Sequence, residues 1–432
     1  MKFIVNGGKN LKGEVEVKGS KNAATKMMIA SLLTDQEVIL ENFPNIGDTE
    51  ITKELCESIG SEITRDNSVL SIKTSQIKNF KVSQLSRRNR IPILALGPLL
   101  ARVGKATVPV LGGDKIGPRP VDIHIEALKS LGAEINFDQN YFYAEAPGGL
   151  RGARIILKFP SVGATENAIL GAVLAKGKTV IQNAAKEPEI IDLILMLQKM
   201  GAIIELGSNR TIYIEGVKKL NGTRHKILPD RNESVSFASL AVASLGSRIK
   251  VKNAVQKDLI TYLNAIRRVG GEYEVEDDGI IFYRNGGLRA VEIETDTHPG
   301  FMTDWQQPFV ILLTQADGIS IVHETIFDDR FGYTQDLNLM GADIKVFSKC
   351  LGELECRFNG MNYQHSAVIS GPTDLHGQNL KVRDLRAGMA HLIAALIANG
   401  ESQIDGIDEL DRGYEDLDGR LEKLGADVRR IN

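Results

Sequence analysis

The chain has 432 residues, 43% of them hydrophobic and 25% charged, which is too long for one ordinary core and apolar enough for two. A net charge of −3 supplies no global field for nucleic acid or anionic lipid, so any anionic ligand must be met by local basic groups. The most apolar run, Ile91–Ala101, is far shorter than the roughly 20 residues that span a bilayer.

The opening MKFIVNGGKN lacks a long apolar stretch before a small-residue cleavage site, so a cytoplasmic protein without membrane insertion is expected. Cys56, Cys350 and Cys356 lack metal-ligand spacing, and the seven histidines form no HxxxH pair. Reduced thiols and no metal are the expectation.

The first residues, FIVNGGKNLKGEVEVKG, read as strand. A helix and strand follow in ATKMMIASLLTDQEVILEN, and a second helix ends in LCESIGSEI. That closing phrase recurs as LKSLGAEI, LQKMGAII, IRRVGGEY, LNLMGADI and LEKLGADV, with its first glycine at 60, 132, 201, 270, 341 and 425. The intervals of 72, 69, 69, 71 and 84 residues define six units covering nearly the whole chain. In each phrase a leucine or isoleucine marks the apolar face of a last helical turn. The glycine then takes the left-handed cap, and alternating residues begin a strand.

Six such units predict two domains of three. The break falls in the polar, turn-rich GVKKLNGTRHKILPDRNES, which gives boundaries of 20–228 and 1–19 plus 229–432. The first strand can then complete the last unit, whose trailing ADVRRIN ends abruptly. The longest interval carries about 13 extra residues, near LGELECRFNGMNYQHSAVISG, read as a surface elaboration.

Polar residues gather where helices start. KGSKNAA offers Ser20 as an N-cap with Lys21 and Asn22 in the first turn, and FPSVGATENA offers Ser161. Asp304, Asp384 and Arg386 lie at two further starts, where unpaired N–H groups and partial positive charge suit anions. The glycine- and proline-rich PVLGGDKIGPRPVDIHI is a loop that holds Asp114 between Leu111 and the cations Lys115 and Arg119. Taken singly, Asp304 and Asp384 also suit N-caps, Arg412 a surface ion pair and His124 a structural role. GGDKIG lacks the spacing of a triphosphate-binding loop.

Together, the segments GSKNAA, LALGPLLAR, GGDKIGPRPVDIHI, PSVGATENAIL, NAAKEPEI, LPDR, TDWQQ, ETIFDDRF, DLRAG and DRGYE resemble the enolpyruvyl transferases, and RPVDIHI with GATENAIL their nucleotide-sugar branch. The resemblance runs the length of the chain. It implies a two-domain inside-out α/β barrel of six βαβαββ units, three per domain, with the active site between the domains. It also implies transfer of the enolpyruvyl group of phosphoenolpyruvate to the 3-hydroxyl of UDP-N-acetylglucosamine, a step of peptidoglycan synthesis that needs no cofactor.

The resemblance assigns roles as well. Asp114 would be the proton donor. Lys21 and Asn22 would hold phosphoenolpyruvate, with Arg119 and Arg412 at its phosphate and Arg330 and Arg386 at its carboxylate. Arg90, then Arg119, Pro120, Val121, Asp122 and Ile123, and then Phe159, Pro160, Ser161 and Val162 would bind the sugar nucleotide. Asp304 would take or orient the 3-hydroxyl proton, and Ile326 would contact the sugar through its backbone.

Many members carry cysteine where Asp114 stands. A carboxyl of ordinary pKa about 3.9 is protonated only about once in a thousand at neutral pH, so a closed site beside a phosphate must raise it. Without a thiol there, resistance to fosfomycin is expected. Two other readings stay open on the sequence: a paralogue acting on a different UDP-sugar, and an impaired homologue that binds sugar nucleotide in a regulatory role.

Overall fold

All six repeated glycines adopt positive φ: 124° at Gly60, 92° at Gly132, 100° at Gly201, 97° at Gly270, 106° at Gly341 and 92° at Gly425. An L side chain would be strained there, so glycine ends each helix and lets a strand begin two residues later. The structure, a computed structural model, describes residues 1–82, 85, 86, 89–110, 121–354 and 356–431. Asp114, Arg119 and Pro120 lie outside the described residues.

Contacts divide the chain into two compact units, one of residues 1–18 and 229–431, the other of 19–110 and 121–228. Each contains three repeats of helix, strand, helix and an antiparallel strand pair, with a further strand added alongside in parallel in all but the sheet of Lys105–Pro109. This is the two-domain inside-out α/β barrel. The first helix of a repeat is enclosed on nearly all sides, polar residues at its start included; the second is amphipathic and buries one face only.

In the unit of residues 1–18 and 229–431, all thirteen residues of the helix Arg231–Ala243 are buried. It packs against the helices Thr303–Thr314 and Leu385–Ile397, which are almost as fully enclosed. Tyr262, Phe301, Trp305 and Phe309 interlock as an aromatic cluster within this core. By contrast, the helix Ile260–Val269 buries only Tyr262, Leu263, Ala265, Ile266 and Val269, a spacing of three and four. The strand Lys12–Glu16 runs parallel to Arg248–Lys252, and Lys2–Asn6 lies between Glu401–Asp405 and Asp427–Ile431. The N-terminal residues thus complete two sheets whose other strands come from residues 248–283 and 379–431.

In the other unit the helices Lys21–Ala30, Leu96–Val103 and Val162–Ala172 share one core. Leu96–Val103 and Val162–Ala172 pack closely because Gly97 faces Gly171: a Cβ at Gly97 would lie 3.0 Å from the Gly171 nitrogen. The strand Thr223–Lys226 pairs in parallel with Val38–Glu41, so here too a late segment completes an early repeat.

The surplus in the fifth repeat is a loop inserted in its hairpin. Phe347 pairs directly with Ser366, and residues 348–365 project from the end of the ladder without helix or strand among the described residues. Spacing along the sequence gives no metal-ligand grouping, but the fold brings four candidate ligands together. His323, Cys350, Cys356 and His365 converge, their candidate ligand atoms all within 4.8 Å of one another. Sequence spacing concealed them because His323 belongs to the neighbouring strand, where it pairs with Ser366.

Candidate functional site

Polar side chains cluster at the starts of the buried helices, and the two units do this differently. In the unit of residues 1–18 and 229–431, Asp304 is the second residue of Thr303–Thr314 rather than its N-cap, which is Met302. Its Oδ1 accepts a hydrogen bond of 2.6 Å from Arg330 Nη2, and its Oδ2 one of 3.2 Å from Arg386 Nε. Both arginines are about nineteen-twentieths buried, at 5% and 6% exposure. Burial works against the charge on Arg386, and the nearby Asp304 and Tyr414 outweigh it, so the guanidinium is held cationic. Arg386 Nη1 also donates to the Tyr414 hydroxyl at 3.2 Å, which in turn pairs with Ser236 Oγ at 2.8 Å.

Local sequence explains these positions. Asp384 caps Leu385–Ile397 by accepting from the N–H groups of Arg386 and Ala387, both at 3.0 Å, so the N-cap reading is the correct one for Asp384. The cap fixes the first turn that carries Arg386. Pro308, four residues after Asp304, has no N–H to close the helical bond to the Asp304 carbonyl. Arg330 follows the turn 324–329, which buried Glu324 pins by accepting from the N–H groups of Ile326 and Phe327 at 2.9 and 3.1 Å. Glu324 also accepts from Thr303 Oγ1 and Gln306 Nε2, so the turn is tied to the helix bearing Asp304.

Ile326 lies in this same turn. Its N–H is bonded to Glu324 and its carbonyl accepts from Arg357 Nη2, so both backbone polar groups are engaged within the chain. Arg412 is 6% exposed and donates to Glu409 Oε2 at 2.8 Å, a half-buried contact rather than a surface one.

In the unit of residues 19–110 and 121–228, Lys21 opens the helix Lys21–Ala30, where it opposes the helix dipole. Asp48 compensates, with its Oδ2 2.8 Å from Lys21 Nζ. Ser20 precedes the helix, yet its side chain makes no capping bond and its buried Oγ has no hydrogen-bond partner. The expected Ser20 cap is therefore absent, while Ser161 does cap Val162–Ala172 through Ala164 N–H at 3.4 Å. Lys26 lies beside Glu166, Glu189 and Asp48 as well as Lys21: burial holds its ammonium below the ordinary range, against the pull of Glu166. Burial in turn pushes the Glu166 carboxyl up to about 7, with Lys26 opposing, and neither carboxyl oxygen has a hydrogen-bond partner.

The remaining candidates occupy three helix starts of this unit. Arg90 immediately precedes the short 3₁₀ helix Ile91–Ala95. Val121 stands before the helix Asp122–Ser130, which places Asp122 and Ile123 in its first turn. Phe159 and Pro160 lead into the Ser161 cap, where the Ser161 N–H returns to the Phe159 carbonyl at 2.7 Å, and Val162 begins the helix. His124 is buried against Gly163; burial and then Arg90 push its pKa down to about 3, so it is neutral and structural.

Sequence reasoning passed over Asp48, Lys26, Glu166, Glu189, Glu324 and Tyr414 as site residues. Four of them lie in segments already distinctive in the sequence: Glu166 in PSVGATENAIL, Glu189 in NAAKEPEI, Glu324 in ETIFDDRF and Tyr414 in DRGYE. Glu166 gives no signal by spacing, because nothing in GATENAIL marks its side chain as buried and unpartnered.

A sequence profile of the family described as EPSP synthase (3-phosphoshikimate 1-carboxyvinyltransferase) matches residues 5–421. A UDP-N-acetylglucosamine 1-carboxyvinyltransferase of Protochlamydia amoebophila is 48% identical over 99% of this chain and 94% of that protein. One of Chlamydia pneumoniae is 49% identical over 97% and 93%, and one of Gluconobacter oxydans 40% identical over 100% and 99%. Among solved structures, the enolpyruvyl transferase NikO of Streptomyces tendae superposes with a TM-score of 0.86 at 22% identity, covering 99% of this chain and 98% of that one. An EPSP synthase of Acinetobacter baumannii gives 0.73 at 16%, with both chains covered completely.

Proposed function

The chain belongs to the enolpyruvyl transferases, the family of EPSP synthase, and on that premise we propose that it moves the enolpyruvyl group of phosphoenolpyruvate onto the 3-hydroxyl of UDP-N-acetylglucosamine, releasing phosphate. The observation that carries this reading is the near-half identity, over almost all of both chains, to relatives bearing that activity in their name. The enzyme works in the cytoplasm and supplies peptidoglycan synthesis.

The chemistry is addition followed by elimination. The methylene carbon of phosphoenolpyruvate takes a proton, the sugar hydroxyl loses its proton and attacks C2, and phosphate then leaves the tetrahedral intermediate as the new methyl carbon gives up a proton, restoring the enol double bond. Asp114 gives the proton to carbon. Lys21, Arg119 and Arg412 meet the phosphate, with Asn22 beside Lys21 in the same helical turn, and Arg330 and Arg386 meet the carboxylate. Each charge-assisted hydrogen bond contributes about 1.5–3 kcal/mol.

Asp304 now has a specific part. It is paired with both arginines. The incoming carboxylate replaces it as their partner and frees one Asp304 oxygen to accept the 3-hydroxyl proton. Arg90, Val121, Asp122, Ile123, Phe159, Pro160, Ser161 and Val162, with Pro120, hold the sugar nucleotide. Ile326 joins them once Arg357 releases its carbonyl.

Phosphate release from phosphoenolpyruvate, measured with no sugar and with several UDP-sugars, tests the assignment. Release with UDP-N-acetylglucosamine far above every other condition supports it; release independent of sugar, or preferring another UDP-sugar, overturns it. In the same assay fosfomycin leaves the protein active, because residue 114 offers no thiol to alkylate, and Asp114→Cys becomes sensitive. Asp114→Asn abolishes turnover while keeping substrate binding, and full activity in that variant would remove the proton-donor role.

A further inference from the structure

The loop 348–365 buries little of its own. Leu354, Met361 and Tyr363 are exposed, and only Cys356, Phe358 and His365 among its described residues are buried. An 18-residue segment without regular structure and with so small a core needs another source of order. Its two cysteines meet two histidines that are both fully enclosed, at 0% exposure.

The histidines are prepared in the same way. His323 Nδ1 lies 3.2 Å from Glu294 Oε2, and His365 Nδ1 lies 2.7 Å from the Tyr363 carbonyl oxygen. Both oxygens act as acceptors, so each ring carries its proton on Nδ1 and turns the Nε2 lone pair inward. His323 Nε2 is buried with no hydrogen-bond partner, while His365 Nε2 faces Cys350 Sγ at 3.2 Å. Cys356 Sγ accepts from the Phe358 N–H at 3.4 Å.

The surrounding groups fit the same purpose. Glu294 is itself held by the N–H groups of Glu353 and Leu354, at 2.7 and 2.8 Å, so it is fixed as the acceptor for His323. Gly352 passes directly over that pair, and a Cβ at this position would collide with His323 Nδ1 and Glu294 Oε2. A tetrahedral ion with bonds of about 2.0 Å to nitrogen and 2.3 Å to sulfur separates such ligands by about 3.5 Å. The 3.2 Å contact and the 4.8 Å outer limit bracket that separation.

We propose that His323, Cys350, Cys356 and His365 form a structural zinc site that staples the loop 348–365 to the sheet beneath it. Two thiolates and two imidazoles, each imidazole with an oxygen behind its second nitrogen, are a closed donor set that suits zinc and leaves no position for a substrate. A disulfide between the cysteines would give the two inward lone pairs nothing to do. The ion also bears on the proposed active site through the chain itself: His323 adjoins Glu324, which pins the turn leading to Arg330, and Arg357 in the loop donates to Ile326.

The test uses the full chain, purified without chelator from cells grown with added zinc, and elemental analysis. The expected result is one zinc per chain, kept by Cys56→Ser and reduced at least tenfold in the double variant Cys350→Ser with Cys356→Ser. Should the double variant not fold, cobalt added to metal-stripped, thiol-reduced wild-type chain gives the visible absorption of a tetrahedral thiolate site. Wild-type protein with under a tenth of a zinc per chain that gives no such spectrum would overturn the proposal. So would full zinc content in a folded double variant, or a Cys350–Cys356 disulfide in protein whose thiols were blocked at lysis.

Discussion

The two polar clusters stand at equivalent places in the repeat and solve opposite electrostatic problems. In the unit of residues 1–18 and 229–431, two buried arginines converge on one carboxylate, Asp304, and one of them, Arg386, also on a phenol, Tyr414. In the unit of residues 19–110 and 121–228, two lysines sit among Asp48, Glu166 and Glu189, so carboxylates outnumber cations. Arginine's planar fork suits a fixed, two-point partner such as a carboxylate. Lysine's compact charge on a flexible stem shifts its proton affinity readily when buried. One scaffold therefore offers a rigid anion clamp in one half and a titratable patch in the other.

The largest effect is expected from breaking the clamp. Arg386→Ala should lower kcat/KM for phosphoenolpyruvate by about 10²–10³-fold, the scale of removing one preorganised charge-stabilising donor. Arg386→Lys, which keeps the charge but loses the fork, should recover only part of it. Equal activity in the Lys variant and wild type, measured by steady-state phosphate release, would mean that charge alone matters and would erase the contrast.

A smaller effect tests the titratable patch. Burial lifts the Glu166 carboxyl from an ordinary 4.5 to about 7, so the folded chain holds a proton there that the unfolded chain has already lost. The associated stability is fully present below about pH 4.5 and disappears as the pH rises through about 7. Glu166→Gln should therefore flatten the fall in Tm between pH 5 and pH 8, by calorimetry. Parallel curves for variant and wild type would place the charge imbalance elsewhere.

The smallest effects concern the scaffold that the two halves share. Gly97→Ala pushes a Cβ against the Gly171 nitrogen and the Asn167 carbonyl, at 3.0 and 3.3 Å, and should cost about 1–3 kcal/mol. Gly132→Ala meets nothing within 4 Å and should cost about 1–2 kcal/mol through its positive φ alone. Denaturant unfolding measures both. A neutral Gly132→Ala would show that the repeated glycine serves something other than its backbone conformation.

These glycines also explain how much of the fold could be read in advance. A cap that demands positive φ recurs at near-constant spacing, so six helix ends and the strands after them stand out in one sequence. The buried helix starts were legible as positions, through residues such as Asp384 and Ser161, but their partners were not. Lys21 required a counter-charge, yet nothing in the sequence indicates that Asp48 provides it from another helix. The zinc-site residues were hidden for a related reason: antiparallel pairing brings His323 to His365, and spacing along the chain says nothing of that pairing.

The central claim is that Asp304 hands its arginines to the substrate's carboxylate and then acts on the sugar hydroxyl. Phosphoenolpyruvate binding to Asp304→Asn, measured by titration calorimetry with UDP-N-acetylglucosamine present and set beside turnover, tests this most directly. The account predicts affinity kept within about threefold while turnover falls by at least about 10²-fold. Affinity lost in proportion to turnover, or turnover left intact, would contradict it.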